Sequence, residues 1–532
     1  MTVGDAETGE FNGKEFPQEN GDKTEFEEPA DFEKAIVAAK WGKFHLLVYA
    51  ISITSGWSSI FETTTMSYVF PAAECDLDLK LEHKGLLNAI TYTGMISTGF
   101  VWGYLCDTLG RKKLLVTGYL LDAIFVFLAS SSQSFAMLMV AKFFGGFIIN
   151  GPFSAITTYL SELHCTKQRG KAQFLLDIIY SAGTLVLPVL AIYILPLNIR
   201  INLGDIFVIH SWNIYLFICA FVPLTSAIAF LFLPESPKFL MTTGKNEKAL
   251  KVFKKIYSMN TGQPEETFPI KSLQNEIELN SGNKYGKVTA NRSKSKAFLE
   301  GWQQLKPLFH RPYRSKIILV CIIQCLTMNS LNTLRLWLPQ IFQAMNDYEL
   351  AHNSSAALCD AVAAFKPNET LELEPTECVV NTNNNSVYIN SIIVCVATIL
   401  AYVIATGLIN KVGKKRLFVL MSVTSGVSAM ALYFSRSTVV TLILASIFIG
   451  AGSVTINNML AVIVEMFPTT LRTMTVALAM MSGRAGAVLG NTLYPLLLKA
   501  GCGPVFFYNG LLSLSCGLLV LLLPVDESAS LT

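Results

Sequence analysis

Gly103-Tyr-Leu-Cys106-Asp107-Thr-Leu-Gly110-Arg111-Lys112-Lys113 lies between two long apolar runs. A carboxylate, a helix-breaking glycine and three consecutive cations cannot sit in hydrocarbon, so this stretch reads as a tight turn at a water interface. Its cations mark that side as cytoplasmic. A second copy follows as Asn410-Lys-Val-Gly413-Lys414-Lys415-Arg416, displaced by 410 − 107 = 303 residues. The same offset relates Gly110 to Gly413, Arg111 to Lys414, Glu162 to Glu465 and Arg169 to Arg472. Coincidences at one spacing are the mark of an internal repeat, and the chain reads as two copies of one module.

Composition fixes what the module is made of. Of 532 residues, 52% are hydrophobic and only 15% charged, with a mean hydropathy of +0.45, which describes a polytopic membrane protein rather than soluble domains. Apolar runs long enough to cross about 30 Å of hydrocarbon occur at 44–71, 85–105, 113–131, 135–159, 171–195 and 212–233. They resume at 316–342, 388–409, 416–434, 438–464, 474–498 and 504–524. Twelve crossings put both termini on one side, predicted to be cytoplasmic. The expected layout is an acidic disordered tail at 1–40, a six-helix half at 41–233, a loop at 234–315, a second half at 316–524 and a short tail at 525–532.

The loops set the expected orientation. Residues 234–316 hold sixteen Lys and Arg against seven acids, whereas 344–386 hold one Lys and seven acids. The first is predicted to be cytoplasmic and the second exoplasmic. The outer loop carries three glycosylation triplets, at Asn353, Asn368 and Asn384, while Asn291 falls in the inner loop and should stay bare. Cys359 and Cys378 share the outer loop, and a bridge between them is predicted. In the inner loop, Leu250, Phe253, Ile256 and Tyr257 recur at helical spacing, as do Phe298, Trp302 and Leu305, predicting short amphipathic helices under the bundle.

Glu162 ends the fourth run and Arg169 follows it; Glu465 and Arg472 repeat the arrangement. Each carboxylate can pair across its turn or with the signature turn itself, forming a clamp or gate with Asp107, Gly110, Arg111 and Asn410. Charges deep inside spans are the sharper signal, because each costs on the order of 2.5–3.5 kcal/mol at the bilayer centre. Glu62, Lys142, Asp177, Arg335 and Arg484 qualify, with Asp122 behind them. Lys142 and Asp177 read as structural ion-pair members. Glu62 and Arg484 read as binding or coupling positions, one in a run rich in Ser and Thr, the other in the glycine ladder Ser482-Gly-Arg484-Ala-Gly486-Ala-Val-Leu-Gly490-Asn491. Asn329, Asn332 and Arg335 share one helix face at spacings that should line water, and Asn457, Asn458 and Asn491 are further polar candidates. Tyr92, Tyr180 and Tyr494 can supply aromatic walls.

The G-x-x-x-D-x-x-G-R-K-K pattern resembles the loop between the second and third spans of the major facilitator superfamily, whose members pair two parallel six-helix halves. Ser-Trp212, Pro234 to Leu240, Trp337-Leu-Pro339 and Arg484 to Asn491 resemble the synaptic vesicle glycoprotein 2 group and, more distantly, organic cation and sugar carriers. The resemblance implies an all-α membrane protein with twelve transmembrane helices in two pseudo-symmetric halves, and places the clamp residues at the inner gate. Ser59, Lys142 and Leu331-Asn332 depart from that group's pattern, and the outer domain shrinks to about forty residues, so no solute carries across.

The expected function is transport of a small, charged organic solute by alternating access, as a monomer in a plasma or vesicle membrane, with a proton or other ion as an accompanying cargo. The alternative is a non-transporting vesicle glycoprotein acting in trafficking. No cofactor or metal is expected. No G-x-x-x-x-G-K-[ST] loop, H-E-x-x-H motif, nucleophile elbow or aromatic-laced basic patch occurs, which argues against a pump, an enzyme or a nucleic-acid binder.

Overall fold

The computed structural model describes residues 29–204, 207–275, 306–364 except 312, 354 and 356, 385–467 and 469–524. Twelve long helical spans dominate it. In order they are Lys43–Ala73, a broken second span of Leu81–Ser97 and Gly99–Leu109, Arg111–Ser130, Phe135–Glu162, Thr166–Ile194 and Ser211–Phe232. The second set is Arg314–His352, Asn385–Val412, Lys414–Leu432, Thr438–Met466, Thr469–Ala500 and Cys502–Leu521. Among the described residues, ten helices pass as membrane-crossing on length and apolarity alone. The two that do not, broken span 2 and arginine-bearing span 11, pack on each other.

The repeat is visible in how helices start and how they pack. Gly110 and Gly413 open spans 3 and 9 with φ of +94° and +87°, a backbone region that favours glycine. Ser134 and Ser437, at the same 437 − 134 = 303 spacing, cap spans 4 and 10 by accepting the Met137 and Val440 amides. Lys112 and Lys415 reach carbonyls at the ends of spans 6 and 12, Leu231 for one and Leu521 and Leu523 for the other. Span 3 packs on 4 and 6, span 4 on 2, and span 1 on 5 and 6; the same pairs recur six spans later. Between the halves, span 2 meets 11, span 5 meets 8 and span 1 meets 7, as a pseudo-twofold axis requires.

Three features differ from the sequence expectations. Part of the predicted disordered tail is ordered: Asp31 caps a helix over Phe32–Ala38, whose Phe32 ring lies 6.0 Å from Phe253 of the lateral helix Asn246–Thr261. Apolar burial holds it, since Phe32, Ala35, Ile36, Phe253 and Ile256 are all buried. Ala30 also forms a parallel bridge with Leu273. Second, Arg200–Leu203 and Phe207–His210 form an antiparallel hairpin between spans 5 and 6, with Arg200 opposite His210. Third, Cys359 bonds to Cys502 at the start of span 12, not to Cys378. The short helix Leu358–Ala364 buries Leu358, Ala361 and Val362 in the second half's core, which carries Cys359 to that span. Cys75 is also disulfide-bonded. Cys378, Asn368, Asn384, Asn291 and the Phe298, Trp302, Leu305 set lie outside the described residues; Asn353 is exposed.

Candidate functional site

The polar groups form three levels, beginning at the end of the bundle that bears the Gly110 turn. There Arg111 pairs with Glu162 at 3.0 Å, donates to the Cys106 carbonyl at 3.1 Å and lies 5.0 Å over the Phe239 ring. Ser236 Oγ donates to the other Glu162 oxygen. Glu235 Oε1 accepts from the amides of Arg111, Lys112 and Ser236 at 3.0, 3.0 and 2.9 Å. An anion on the unpaired amides at a helix N-terminus is favourable both as a cap and against the helix dipole. Glu162 thus takes the signature turn as its partner. Arg169 instead meets Glu33 of the tail helix at 3.6 Å, and Glu33 also accepts from the Thr166 amide at 2.6 Å. Arg169 donates to the His164 carbonyl as well. Burial holds the His164 imidazole below its ordinary range, and the neutral ring donates from Nδ1 to Leu160 O at 2.8 Å while accepting the Tyr49 hydroxyl at 2.9 Å.

In the second copy, Asn458 donates to the Lys414 carbonyl at 2.6 Å, and Arg472 Nε is buried without a partner among the described residues. The side chains of Asp107, Asn410 and Glu465 lie outside the described part. Sequence reasoning missed Glu33, Glu235 and Ser236 as clamp members. Glu235 and Ser236 stand in the Pro234 to Leu240 stretch that carries the family resemblance.

The second level is sealed inside the first half. Glu62 and Lys142 form an ion pair of 2.9 Å with each side chain only 2% exposed, and Lys142 Nζ also donates to the Glu62 carbonyl at 2.9 Å. Gly145 makes room: a Cβ there would stand 2.3 Å from Glu62 Oε1. Asp122 of span 3 is fully buried within electrostatic reach of both. Glu62 therefore faces span 4 within its own half.

The third level is the seam between the halves. Arg484 donates to Asn150 Oδ1 of the opposite half at 2.6 Å, and the Tyr92 hydroxyl donates to Asn332 Oδ1 at 3.3 Å. Arg335 lies within electrostatic reach of Tyr68 and Tyr92 from the first half and Tyr402 from its own. Asp177 is within similar reach of Tyr180 and Tyr402. Of the polar stripe on span 7, Asn332 and Arg335 reach the seam, while Asn329 turns inward and donates to Tyr508 at 3.0 Å. Asn491 bonds its own helix at the Ala487 carbonyl, Asn458 belongs to the signature-turn level, and Asn457 is exposed.

The glycine ladder serves a helix rather than a solute. Cβ atoms at Gly483, Gly486 and Gly490 would stand 2.7, 2.0 and 2.0 Å from Met328, Cys325 and Thr333 of span 7. Tyr494 stacks on Trp337 at 4.2 Å in that half's core, and Tyr180 packs on Phe153. At the far end of the seam Glu82 of span 2 pairs with Lys499 of span 11, and Leu81 packs beside Trp337, Tyr494 and Leu498.

Comparison with known proteins agrees with this architecture. Synaptic vesicle glycoprotein 2C of Homo sapiens is 26% identical over 385 residues, covering 70% of this chain and 52% of that protein. Synaptic vesicle glycoprotein 2B of Rattus norvegicus is 26% identical over 353 residues, covering 64% and 51%. The chain thus spans about half the length of these curated relatives. Among solved structures, a partially occluded inward-open conformation of the xylose transporter XylE from E. coli superposes with a TM-score of 0.61 at 15% identity, covering 91% of this chain and all of that one. A crystal structure of a D-xylose-proton symporter gives 0.61 at 14%, covering 92% and 99%. At such identities these two show a shared fold. The family profile described as Major Facilitator Superfamily matches residues 52–365 and 380–532, and the chain belongs to that superfamily.

Proposed function

We propose that this chain carries a small organic solute with negative charge across a membrane by alternating access, binding it at the seam between Arg335 and Arg484. One observation carries the charge: two half-buried guanidinium groups stand at the seam, and no described carboxylate pairs with either. Arg484 meets the neutral Asn150 and Arg335 is surrounded by tyrosines. Cations kept at bilayer depth without counter-charge suit an anionic cargo, since a solute carboxylate or phosphate can offset their desolvation. Asn150, Tyr92 and Asn332 add neutral hydrogen-bonding groups from both halves. The Glu82–Lys499 contact joins spans 2 and 11 at the far end of the seam, which supports a conformation closed on that side.

The reading includes an orientation with the Gly110 turn and both termini in the cytoplasm, in a plasma or secretory-vesicle membrane. Sugar at Asn353 and none at Asn291 is the expected glycosylation pattern. The function is tested by uptake into vesicles reconstituted with the full chain, across panels of organic anions, cations and neutral sugars. Saturable uptake of an anion, lowered at least about tenfold by Arg484→Gln or Arg335→Gln, is expected. Uptake of a cation, or arginine variants that transport like wild type, overturns it. The absence of any flux, with capture of a partner protein by the outer loop, favours the trafficking reading.

A further inference from the structure

Cys75 lies in the turn that follows span 1, half-buried and disulfide-bonded. The residues on either side of it are pinned to the first half. Glu74 pairs with Lys84 at 2.8 Å, while Asp76 accepts from the Trp212 indole at 2.8 Å and meets His210 Nδ1 at 3.3 Å. The chain holds eleven cysteines. Cys359 and Cys502 bond to each other, and Cys106, Cys165, Cys219, Cys321, Cys325, Cys395 and Cys516 are free thiols. Contacts hold several of these elsewhere: Cys395 donates to the Thr184 carbonyl at 3.4 Å, Cys516 accepts from Thr327 at 3.3 Å, and the Cys106 carbonyl takes Arg111 at the clamp. A disulfide needs a second sulfur, and one cysteine of the sequence remains, Cys378 of the outer loop.

We infer that Cys75 and Cys378 form a disulfide that joins the two halves covalently at the end of the bundle opposite the clamp. The outer loop then has two anchors in different halves: Cys359 on span 12 of the second, and Cys378 on the end of span 1 of the first. The path of the chain agrees with this. Tyr388, near the start of span 8, is buried in one apolar cluster with Phe70, Ala73 and Leu77, which flank Cys75. Cys378 precedes Asn385, the first residue of that span, by 385 − 378 = 7 residues. Seven residues reach about 25 Å when extended, so the bond can close beside span 8 and still leave slack for the halves to move. Its formation removes two protons and two electrons from the two thiols. Both electrons go to the disulfide of a thiol oxidoreductase, which leaves as a dithiol after exchange through a mixed disulfide. Such oxidants act in exoplasmic compartments, in line with the orientation proposed above; the bond itself does not rest on the transport reading.

The test therefore uses no solute. A recognition sequence for a site-specific protease is inserted into the inner loop of the full chain, which is purified from membranes, cut, treated with N-ethylmaleimide to stop thiol exchange and run on denaturing gels. Without reductant the two halves should migrate together at the full-length position, and with dithiothreitol they should part into two bands. The Cys359–Cys502 bond lies within the second half and cannot hold the halves together, so the Cys359→Ser, Cys502→Ser double variant should behave like the parent. Cys75→Ser and Cys378→Ser should each separate without reductant. Halves of the parent that separate without reductant overturn the proposal, as do halves that stay joined in Cys378→Ser. Should Cys75→Ser fail to accumulate in membranes, the parent and Cys378→Ser gels decide alone. Mass spectrometry of an unreduced digest gives an independent reading: a peptide pair linking Cys75 to Cys378 is expected, and Cys75 linked to any other cysteine ends the assignment.

Discussion

The two halves share a backbone plan and divide the charge unequally. At the 303-residue offset, Asp122 corresponds to Ser425 and Lys142 to Ala445. Ser425 donates to the Phe448 carbonyl at 3.3 Å and Ala445 is buried at 1% exposure, so the second half fills with neutral groups the place where the first seals an ion pair. At the seam both arginines come from the second half, while the first offers the neutral Asn150 and Tyr92 and the carboxylate of Asp177. One half thus holds a sealed internal ion pair and a clamp, and the other presents its two arginines to the seam. Duplication explains the common frame; the differences mark where each copy took on its own chemistry.

The largest break in this comparison should come from Lys142→Met. Removing one member of a buried pair leaves its partner uncompensated, a loss of about 3 kcal/mol. Adding Glu62→Gln should recover most of it, because a neutral pair needs no counter-charge. Ala445→Ser, at the equivalent place in the other half, should change stability by no more than about 1 kcal/mol, since a helical serine can bond its own preceding turn. Thermal unfolding in detergent measures all three, and equal losses at positions 142 and 445 would remove the contrast.

The signature glycines give the next effect. Both have positive φ, so alanine at either meets backbone strain of about 1–3 kcal/mol. Their surroundings differ: a Cβ at Gly110 would stand 2.4 Å from Glu235 Oε2, whereas at Gly413 nothing lies within 4 Å. Gly110→Ala should therefore cost more than Gly413→Ala, by the part of the Glu235 cap that is displaced, about 1 kcal/mol. Combining Gly110→Ala with Glu235→Ala separates the two terms, as the double variant should lose less than the sum. Below these stand the serine caps. Ser134→Ala and Ser437→Ala should each cost about 1 kcal/mol and match one another, because the Oγ-to-amide distance is 3.3 Å in both. A mismatch would show that the halves are less alike in local energetics than in shape.

What could be read from the sequence was local or periodic. The repeat offset, the apolar runs and the two turns are properties of neighbouring residues, and they suffice for a twelve-helix bundle of two halves. Pairings that close only in three dimensions were not legible. Cys359 finds Cys502, 143 residues away, because a short apolar helix docks on the second half. Glu33 reaches Arg169 because Phe32 and Ile36 bury themselves beside the lateral helix, and acidic composition alone suggested disorder for that segment. Glu62 and Arg484 were rightly singled out as costly, but their depth in the sequence could not tell which side of a helix each occupies. Glu62 faces span 4 and Arg484 faces the seam.

The smallest expected effect tests the comparison by pH. His164 corresponds at the same offset to Phe467, and both are buried, at 2% exposure. Burial lowers the affinity of His164 for a proton relative to the unfolded chain, whose ordinary histidine value is about 6.5. The stability this neutral ring contributes is complete above that value and declines as pH falls below it, because the unfolded chain then binds a proton that the folded ring resists. His164→Phe copies the second half's residue into the first. It should remove that part of the acid sensitivity while sacrificing the hydrogen bonds to Tyr49 and Leu160, so the variant starts less stable at pH 8 and loses less between pH 7 and pH 5. Unfolding midpoints across that range read the slope directly. An unchanged slope would mean that His164 is protonated equally in the folded and unfolded chain, and that the imidazole is there for its hydrogen bonds rather than its charge.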